Sequence, residues 1–384
     1  MEFDKNFGFG CMRLPMKDDE VDLQETSKMV DYFIANGFNY FDTAHGYIKG
    51  KSETAIKECL TQRYKREDYI LVDKISGWFF EKEEDIEPYF NEMLEKTGVE
   101  YFDILLLHTQ HRRNYGHFKE CRAYEKAFEF KEKGLAKMVG LSFHDTPDFI
   151  DKILTEYPQI EVVQLQFNYL DSDNPSVESL GCYEVCLKHN KPVIVMEPVK
   201  GGRLVNIPEE AKQVFKSLGN NSPASYAIRY AASFENVKMV LSGMSNMEQM
   251  IDNVSFMKDF KPLDEKEMEA VLKVKEIINK TEQVPCTACS YCVEGCPKKI
   301  NIPKGVTIIE RRAFNNCSSL TSIEIPEGVT IIEELTFFDC SSLERVRIPK
   351  SVQMIKEMAF QDCVSLKSIE LPNVILVGED AFAH

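Results

Sequence analysis

The chain has 384 residues, 43% hydrophobic and 28% charged, a globular composition that excludes a disordered or fibrous chain and suffices for about two or three domains. Its 46 Lys and Arg stand against 62 Asp and Glu, a formal charge of −16, which repels phosphate backbones and anionic lipid and argues against a nucleic-acid partner. No apolar run approaches the roughly 18 residues of a membrane span, and the opening MEFDKNFGFG lacks the layout of a signal peptide, so the expectation is a soluble cytoplasmic protein.

Three regions differ in texture: 1–280, a cysteine-rich segment at 281–301, and a repetitive tail at 302–384. In the first, short runs rich in Val, Ile, Leu and Phe alternate with longer stretches of helical period. After the opening FGFGCMRL come FNYFD (38–42), YILVDK (69–74), FDILLLH (102–108), MVGLS (138–142), VVQLQ (162–166), PVIVME (192–197) and VKMVLSG (237–243). Between the first two lies a helix candidate at 23–36. Asp22 and Glu25 make a capping-box pattern there, Met29, Val30, Phe33 and Ile34 an apolar face, and Asn36-Gly37 an end. Eight β/α units predict an α/β fold closed as a (β/α)8 TIM barrel, with an open doubly wound sheet as the alternative. A barrel places its chemistry at the C-terminal ends of strands. Asp42, Lys74, His108, Ser142, Gln164 and Glu197 all stand at or near such ends. One polar residue there is an ordinary strand stop; six together point to a site.

FDTAHGY at 41–47, Lys74 after an apolar run and His108 after three leucines resemble the aldo-keto reductase family over residues 1–280. The resemblance implies an enzyme, an NAD(P)H-dependent oxidoreductase that reduces a small aldehyde or ketone, with Tyr47 as general acid, Lys74 and Asp42 tuning it, and His108 orienting the carbonyl. The chemistry supports those types independently. A hydride arriving at a carbonyl carbon leaves an alkoxide that needs a proton, and a free tyrosine, with a pKa of about 10, is a weak donor near neutrality. Lowering that value by two or three units takes about 3–4 kcal/mol. One ammonium about 4 Å away supplies about 4 kcal/mol at an effective dielectric of 20. The bland reading, a solvated Tyr47 with Asp42 capping a strand and Lys74 on the surface, must hold at four positions at once.

For the cofactor, NADPH or NADH, the same resemblance assigns Ser142 and Gln164 to the nicotinamide carboxamide. Phe143 stands where many members have Asn, and Met196 where many stack an aromatic ring. It assigns Gly243, Ser245, Gln249 and Asn253 in SGMSNMEQMIDN (242–253) to the dinucleotide, and Met12 to a contact at the first strand. No Lys or Arg lies within 242–253, so no basic clamp on a 2'-phosphate is visible there.

Cys286, Cys289, Cys292 and Cys296 follow C-x2-C-x2-C-x3-C-P, the bacterial ferredoxin spacing, in which converging thiolates hold a 4Fe-4S cluster. Zinc is the main alternative, although its ligand pairs usually sit a dozen or more residues apart. The segment resembles the ferredoxin-like end of some aldo-keto reductases of anaerobes, which carry two such motifs where this chain has one.

From 302 a 23-residue step takes over: Ile302-Pro303, Ile325-Pro326, Ile348-Pro349 and Leu371-Pro372, with Cys317, Cys340 and Cys363 in phase. The pattern IPxxVxxIxxxAFxxCxSLxxIx resembles the BspA-like leucine-rich repeat. That resemblance implies a small solenoid of three units and a stub, with these thiols as buried repeat positions rather than ligands. Two functions follow: a reductase with an accessory cluster, whose cluster and tail meet an electron-transfer or protein partner, or an interaction protein in which the tail is primary and the barrel a non-catalytic scaffold.

Overall fold

The computed structural model describes residues 3, 5–173, 177–219, 221–280, 309–315, 317 and 320–383. Two compact units, Met1–Ile278 and Asn279–His384, divide the chain. The iron-sulfur expectation at 281–301 lies outside the described residues.

All eight apolar runs become parallel strands of one closed barrel: β1 (Phe7–Gly10), β2 (Tyr40–Asp42), β3 (Ile70–Ile75), β4 (Phe102–Gln110), β5 (Ala136–Phe143), β6 (Val162–Gln166), β7 (Val193–Met196) and β8 (Val237–Gly243). Each pairs with the next in chain order and β8 returns to β1, where Gly10 is in register with Gly243. Closure leaves no edge strand, so the open-sheet alternative is excluded. Glu197 falls one residue beyond β7.

Strand alternation sorts each run into inward and outward residues. Tyr40, Val72, Ile104, Leu106, Val162, Ile194, Met239 and Leu241 form an apolar plug inside the barrel. Gly8 makes room for it: a Cβ there would lie 2.7 Å from both the Tyr40 ring and Leu241. Two residues further along β2, β3, β4, β5 and β6, the same inward alternation presents Asp42, Lys74, His108, Ser142 and Gln164 at the C-terminal end.

Outward residues pack under helices. In the helix Leu23–Ala35, Met29, Val30 and Phe33 are buried while Ile34 is partly covered, and Gly37 ends it at φ +83°. Only half of the expected capping box forms. Asp22 Oδ1 accepts the Glu25 N–H at 3.0 Å, whereas Glu25 Oε1 accepts the Met247 N–H at 3.4 Å, tying this helix to the start of the helix Met247–Met257.

In the second unit six short strands, β9 (Ser322–Glu324), β10 (Ile331–Ile332), β11 (Arg345–Arg347), β12 (Met354–Ile355), β13 (Ser368–Glu370) and β14 (Leu376–Val377), make two parallel ladders, β9-β11-β13 and β10-β12-β14. Ser322 pairs with Arg345 and Arg345 with Ser368, the 23-residue step. Met354 pairs with Leu376, so the last step in this ladder is one residue shorter. Phe314, Phe337, Phe360 and Phe382 stack with centroids 5.0, 5.0 and 5.4 Å apart and planes within 9° of parallel. Cys317, Cys340 and Cys363 are buried free thiols. Cys340 and Cys363 donate to the Phe314 and Phe337 carbonyls at 3.0 and 3.1 Å, which makes them packing elements of the repeat.

Phe337 is 0% exposed and has a ring on both faces, whereas Phe382 is only partly buried. Phe337→Ala should cost about 3–5 kcal/mol in chemical denaturation of the full chain, the usual loss for a buried aromatic, and Phe382→Ala clearly less. Equal losses would mean that the stack is not what holds the repeats together.

Candidate active site

At the C-terminal end of the barrel a lysine is buried completely: Lys74 is 0% exposed. A buried ammonium persists only when its protons find acceptors. Nζ donates to Asp42 Oδ1 at 2.7 Å and to the Thr43 carbonyl at 2.6 Å. The second Asp42 oxygen accepts from Gln164 Nε2 at 2.9 Å, so charge and hydrogen bonds are matched across β2, β3 and β6.

Tyr47 opens the 3-10 turn Tyr47–Gly50, its N–H donating to the Ala44 carbonyl at 2.9 Å. Ile48 and Lys49 hold φ at +52° and +55°, a costly conformation for side chains of their size and a mark of a constrained loop. This turn sets the Tyr47 ring 4.7 Å from Lys74 Nζ, measured to the centroid, and 5.9 Å from the His108 ring. Ser76 Oγ lies 2.6 Å from His108 Nδ1. Burial first, then the Lys74 charge, holds the His108 imidazole well below its ordinary pKa and therefore neutral. Trp78 and Phe79 wall the opening and are largely exposed, with the indole 5.4 Å from the His108 ring.

One expectation is corrected. Lys74 was to bring the Tyr47 phenol down towards neutrality. Instead burial, then Asp42 and Asp73, push it well above its ordinary value. The reason is geometric: the ammonium is committed to Asp42 and Thr43 and faces the ring. Tyr47 is thus held as a protonated phenol.

The residues assigned to a cofactor divide into two groups. Ser142 Oγ accepts the Thr109 N–H at 2.7 Å, and Gln164 serves Asp42. Phe143 points outward and packs near Phe149, offering no polar group to the interior. Met196 ends β7, partly exposed. Met12 lies exposed on the turn Cys11–Arg13. The others gather where β1 meets β8. Gly243 ends β8, Ser245 Oγ donates to the Arg13 carbonyl at 2.9 Å, and the Ser245 N–H donates to Gln249 Oε1 at 2.8 Å. Asn246 caps the helix Met247–Met257 by accepting the Gln249 N–H at 2.9 Å. Buried Asn253 donates to Ser242 Oγ at 3.0 Å.

Sequence reasoning missed several residues here. Arg13, exposed, packs its side chain over Gly243, where a Cβ would lie 3.3 Å from its own Cβ; its basic character stood plainly in FGFGCMRL, but only barrel closure brings it to residues 242–253. Glu197 was marked by its place after the seventh run but given no role; it adopts φ +56°, its Oε2 is buried without a hydrogen-bond partner among the described residues, and burial raises its pKa. Ser76 and Trp78 lie in the SGW that follows Lys74 by two residues, a usable signal. Among the described residues no three His, Cys, Asp or Glu side chains could share a metal ion, and no helix is long and apolar enough to cross a membrane. Cys286, Cys289, Cys292 and Cys296 lie outside the described residues.

Residues 286–384 match six copies of the BspA type leucine rich repeat region, a span that includes the cysteine run. The barrel is similar in fold to an aldo-keto reductase from Klebsiella pneumoniae in complex with NADPH, with a TM-score of 0.57 and 16% identity over 72% of this chain and 92% of that one. It is equally similar to the holo form of aldo-keto reductase AKR11C1 from Bacillus halodurans, with a TM-score of 0.57 and 23% identity over 70% and 91%. In sequence it is 24% identical to the uncharacterized oxidoreductase YqkF of Bacillus subtilis, over 64% of this chain and 85% of that protein. A 106-residue stretch is 33% identical to 4-dihydromethyl-trisporate dehydrogenase of Mucor mucedo, over 26% and 30%. The model of the aldo/keto reductase family matches residues 6–276, and the chain belongs to that family, as an oxidoreductase built on its barrel.

Proposed function

We propose that the protein is a cytoplasmic, NAD(P)H-dependent reductase of small aldehydes or ketones, with Tyr47 as the proton donor. The observation that carries this reading is the convergence of Asp42, Tyr47, Lys74 and His108 at the C-terminal end of one barrel, from three strands and a constrained loop. A barrel serving only as a scaffold for the repeat tail has no need of a buried, fully satisfied lysine beside a tyrosine.

The corner between β1 and β8 fits a dinucleotide. Arg13 supplies an exposed guanidinium suited to a phosphate, Glu197 Oε2 is a buried acceptor awaiting a donor, and Met196 and Met12 offer apolar cover. When bound, a reduced nicotinamide supplies hydride. The chain's own residues handle the proton. Tyr47, kept protonated by burial and Asp42, gives its proton to the carbonyl oxygen. Lys74 then stands next to the resulting tyrosinate, and Asp42, Thr43 and Gln164 hold that ammonium in position. Ser76 Oγ, 2.6 Å from Nδ1, fixes the His108 ring, which orients the same carbonyl oxygen. Trp78 and Phe79 favour an apolar substituent on the substrate.

For the cysteine run we propose one 4Fe-4S cluster on Cys286, Cys289, Cys292 and Cys296, with an electron-transfer or protein partner reached through the cluster and a leucine-rich solenoid tail. The spacing supports it. So does phase: one 23-residue step back from Cys317 falls on Glu294, so the run does not belong to the repeat cysteines although the repeat match extends over it.

Three outcomes test this reading. Tyr47→Phe should lower nicotinamide oxidation against a panel of aldehydes and ketones by about 10²- to 10⁴-fold, the worth of a positioned acid; near-normal turnover would remove Tyr47 from its role. Arg13→Gln should weaken NADPH binding about tenfold, or about 1.4 kcal/mol, in fluorescence titration while leaving NADH binding little changed. Anaerobically reconstituted protein should carry about four irons per chain. Cys292→Ala should lose them and Cys340→Ala retain them, and stoichiometric zinc without iron would overturn the cluster.

A further inference from the structure

Between Leu107 and Gln110 the pairing of β4 with β5 slips. Leu107 stands opposite Leu141 and Gln110 opposite Phe143, so His108 and Thr109 together face the single Ser142. This is a β-bulge, and bulges next to active sites re-aim a side chain. Thr109 takes φ +54°, a left-handed conformation that a β-branched residue adopts only under constraint. Its own side chain does not supply that constraint: Oγ1 is buried and has no hydrogen-bond partner among the described residues.

The constraint comes from hydrogen bonds to successive peptide groups. The Thr109 N–H donates to Ser142 Oγ at 2.7 Å, and the Thr109 carbonyl accepts from Asn114 Nδ2 at 2.9 Å. Asn114 is fixed in turn through Oδ1, which accepts the His111 N–H at 3.1 Å. The His108 carbonyl accepts from Gln110 Nε2 at 3.1 Å. Gln110 Oε1 accepts from the Tyr124 hydroxyl at 2.7 Å, on the helix Ala123–Glu132. The extra residue at 109 turns Gln110 outward with Phe143, towards that helix; a regular strand would turn it inward and bring a primary amide into the site. Every polar backbone group from the His108 carbonyl to the Thr109 carbonyl is therefore held.

We propose that this strained bulge aims His108 at the substrate carbonyl, and that Asn114 and Tyr124 are positioning residues that act through it without touching substrate. Strained backbone persists where its surroundings over-determine it, and here the surroundings converge on one functional ring. From the other side Ser76 Oγ, 2.6 Å from Nδ1, fixes the rotation of that ring, so backbone and imidazole are held by separate contacts. The effect on turnover rests on the reductase reading; the aim of the ring does not.

The test compares the full chain with two variants. Asn114→Asp keeps the acceptor for His111 and removes the donor to Thr109, and Tyr124→Phe removes the donor to Gln110. In magnetic resonance spectra of protein carrying isotope-labelled histidine, the His108 ring signal, assigned by its loss in His108→Gln, should shift or broaden in both variants. The signal of His189, paired with Asp151 far from the bulge in sequence, should stay in place. An unchanged His108 signal in both variants overturns the positioning role. In steady-state assays kcat for a carbonyl should fall several-fold to about 10²-fold, the cost of a misplacement of roughly 1 Å, with NADPH binding unchanged. Full turnover with a shifted ring overturns the link between the bulge and the reaction while leaving the reductase reading intact. A fall in turnover that only matches a loss of folded protein, with the ring signal unmoved, overturns the proposal as well. Absence of turnover in the parent overturns the reductase reading, and the ring signal still decides the aim. Should Asn114→Asp fail to fold, Tyr124→Phe gives the same two readings.

Discussion

A fully buried ammonium is the constraint around which the barrel end is organised. Lys74 cannot sit at 0% exposure unless its desolvation is repaid by acceptors in good geometry, and each acceptor must in turn be satisfied. Asp42, the Thr43 carbonyl and Gln164 meet that demand from neighbouring strands. The arrangement is poor value as a stabilising device, since an apolar residue of similar volume would fill the space at lower cost. Its retention makes sense if the charge is needed beside Tyr47, which the loop after β2 carries next to two side chains at positive φ.

The barrel was legible because its signal is periodic. Eight apolar runs, spaced by helical stretches, favour a closed parallel barrel over an open sheet, and strand alternation then decides which way every side chain points. Asp42, Lys74, His108, Ser142 and Gln164 could therefore be named as one inward layer from their positions in the runs. The residue that escaped depends on closure: Arg13 is far in sequence from Gly243 and meets it only because β1 pairs with β8. The downward shift expected at Tyr47 meets an upward one from burial, Asp42 and Asp73 for a related reason: sequence places Lys74 near the tyrosine but does not say that the ammonium is already committed to Asp42 and the Thr43 carbonyl.

The tail was legible for the opposite reason, exact repetition. Its step survives in the ladders, the thiols and the aromatic rings. The departure came in the last unit, where one residue fewer separates Pro372 from Phe382 than Pro349 from Phe360, and a count of Ile-Pro and Cys positions alone does not register it.

The ring stack has an implication for how the repeat unit comes apart. Interactions that run only between adjacent rungs give each rung a stability set by its neighbours, as in a one-dimensional chain. Among the described rungs the cover is uneven: Ile375 and Leu376, near Phe382, are 82% and 55% exposed, whereas Ile332 and Ile355 are 0% exposed. A rung with less buried apolar surface opens at lower cost, so protection of the backbone amides becomes graded along the stack rather than a single cooperative value.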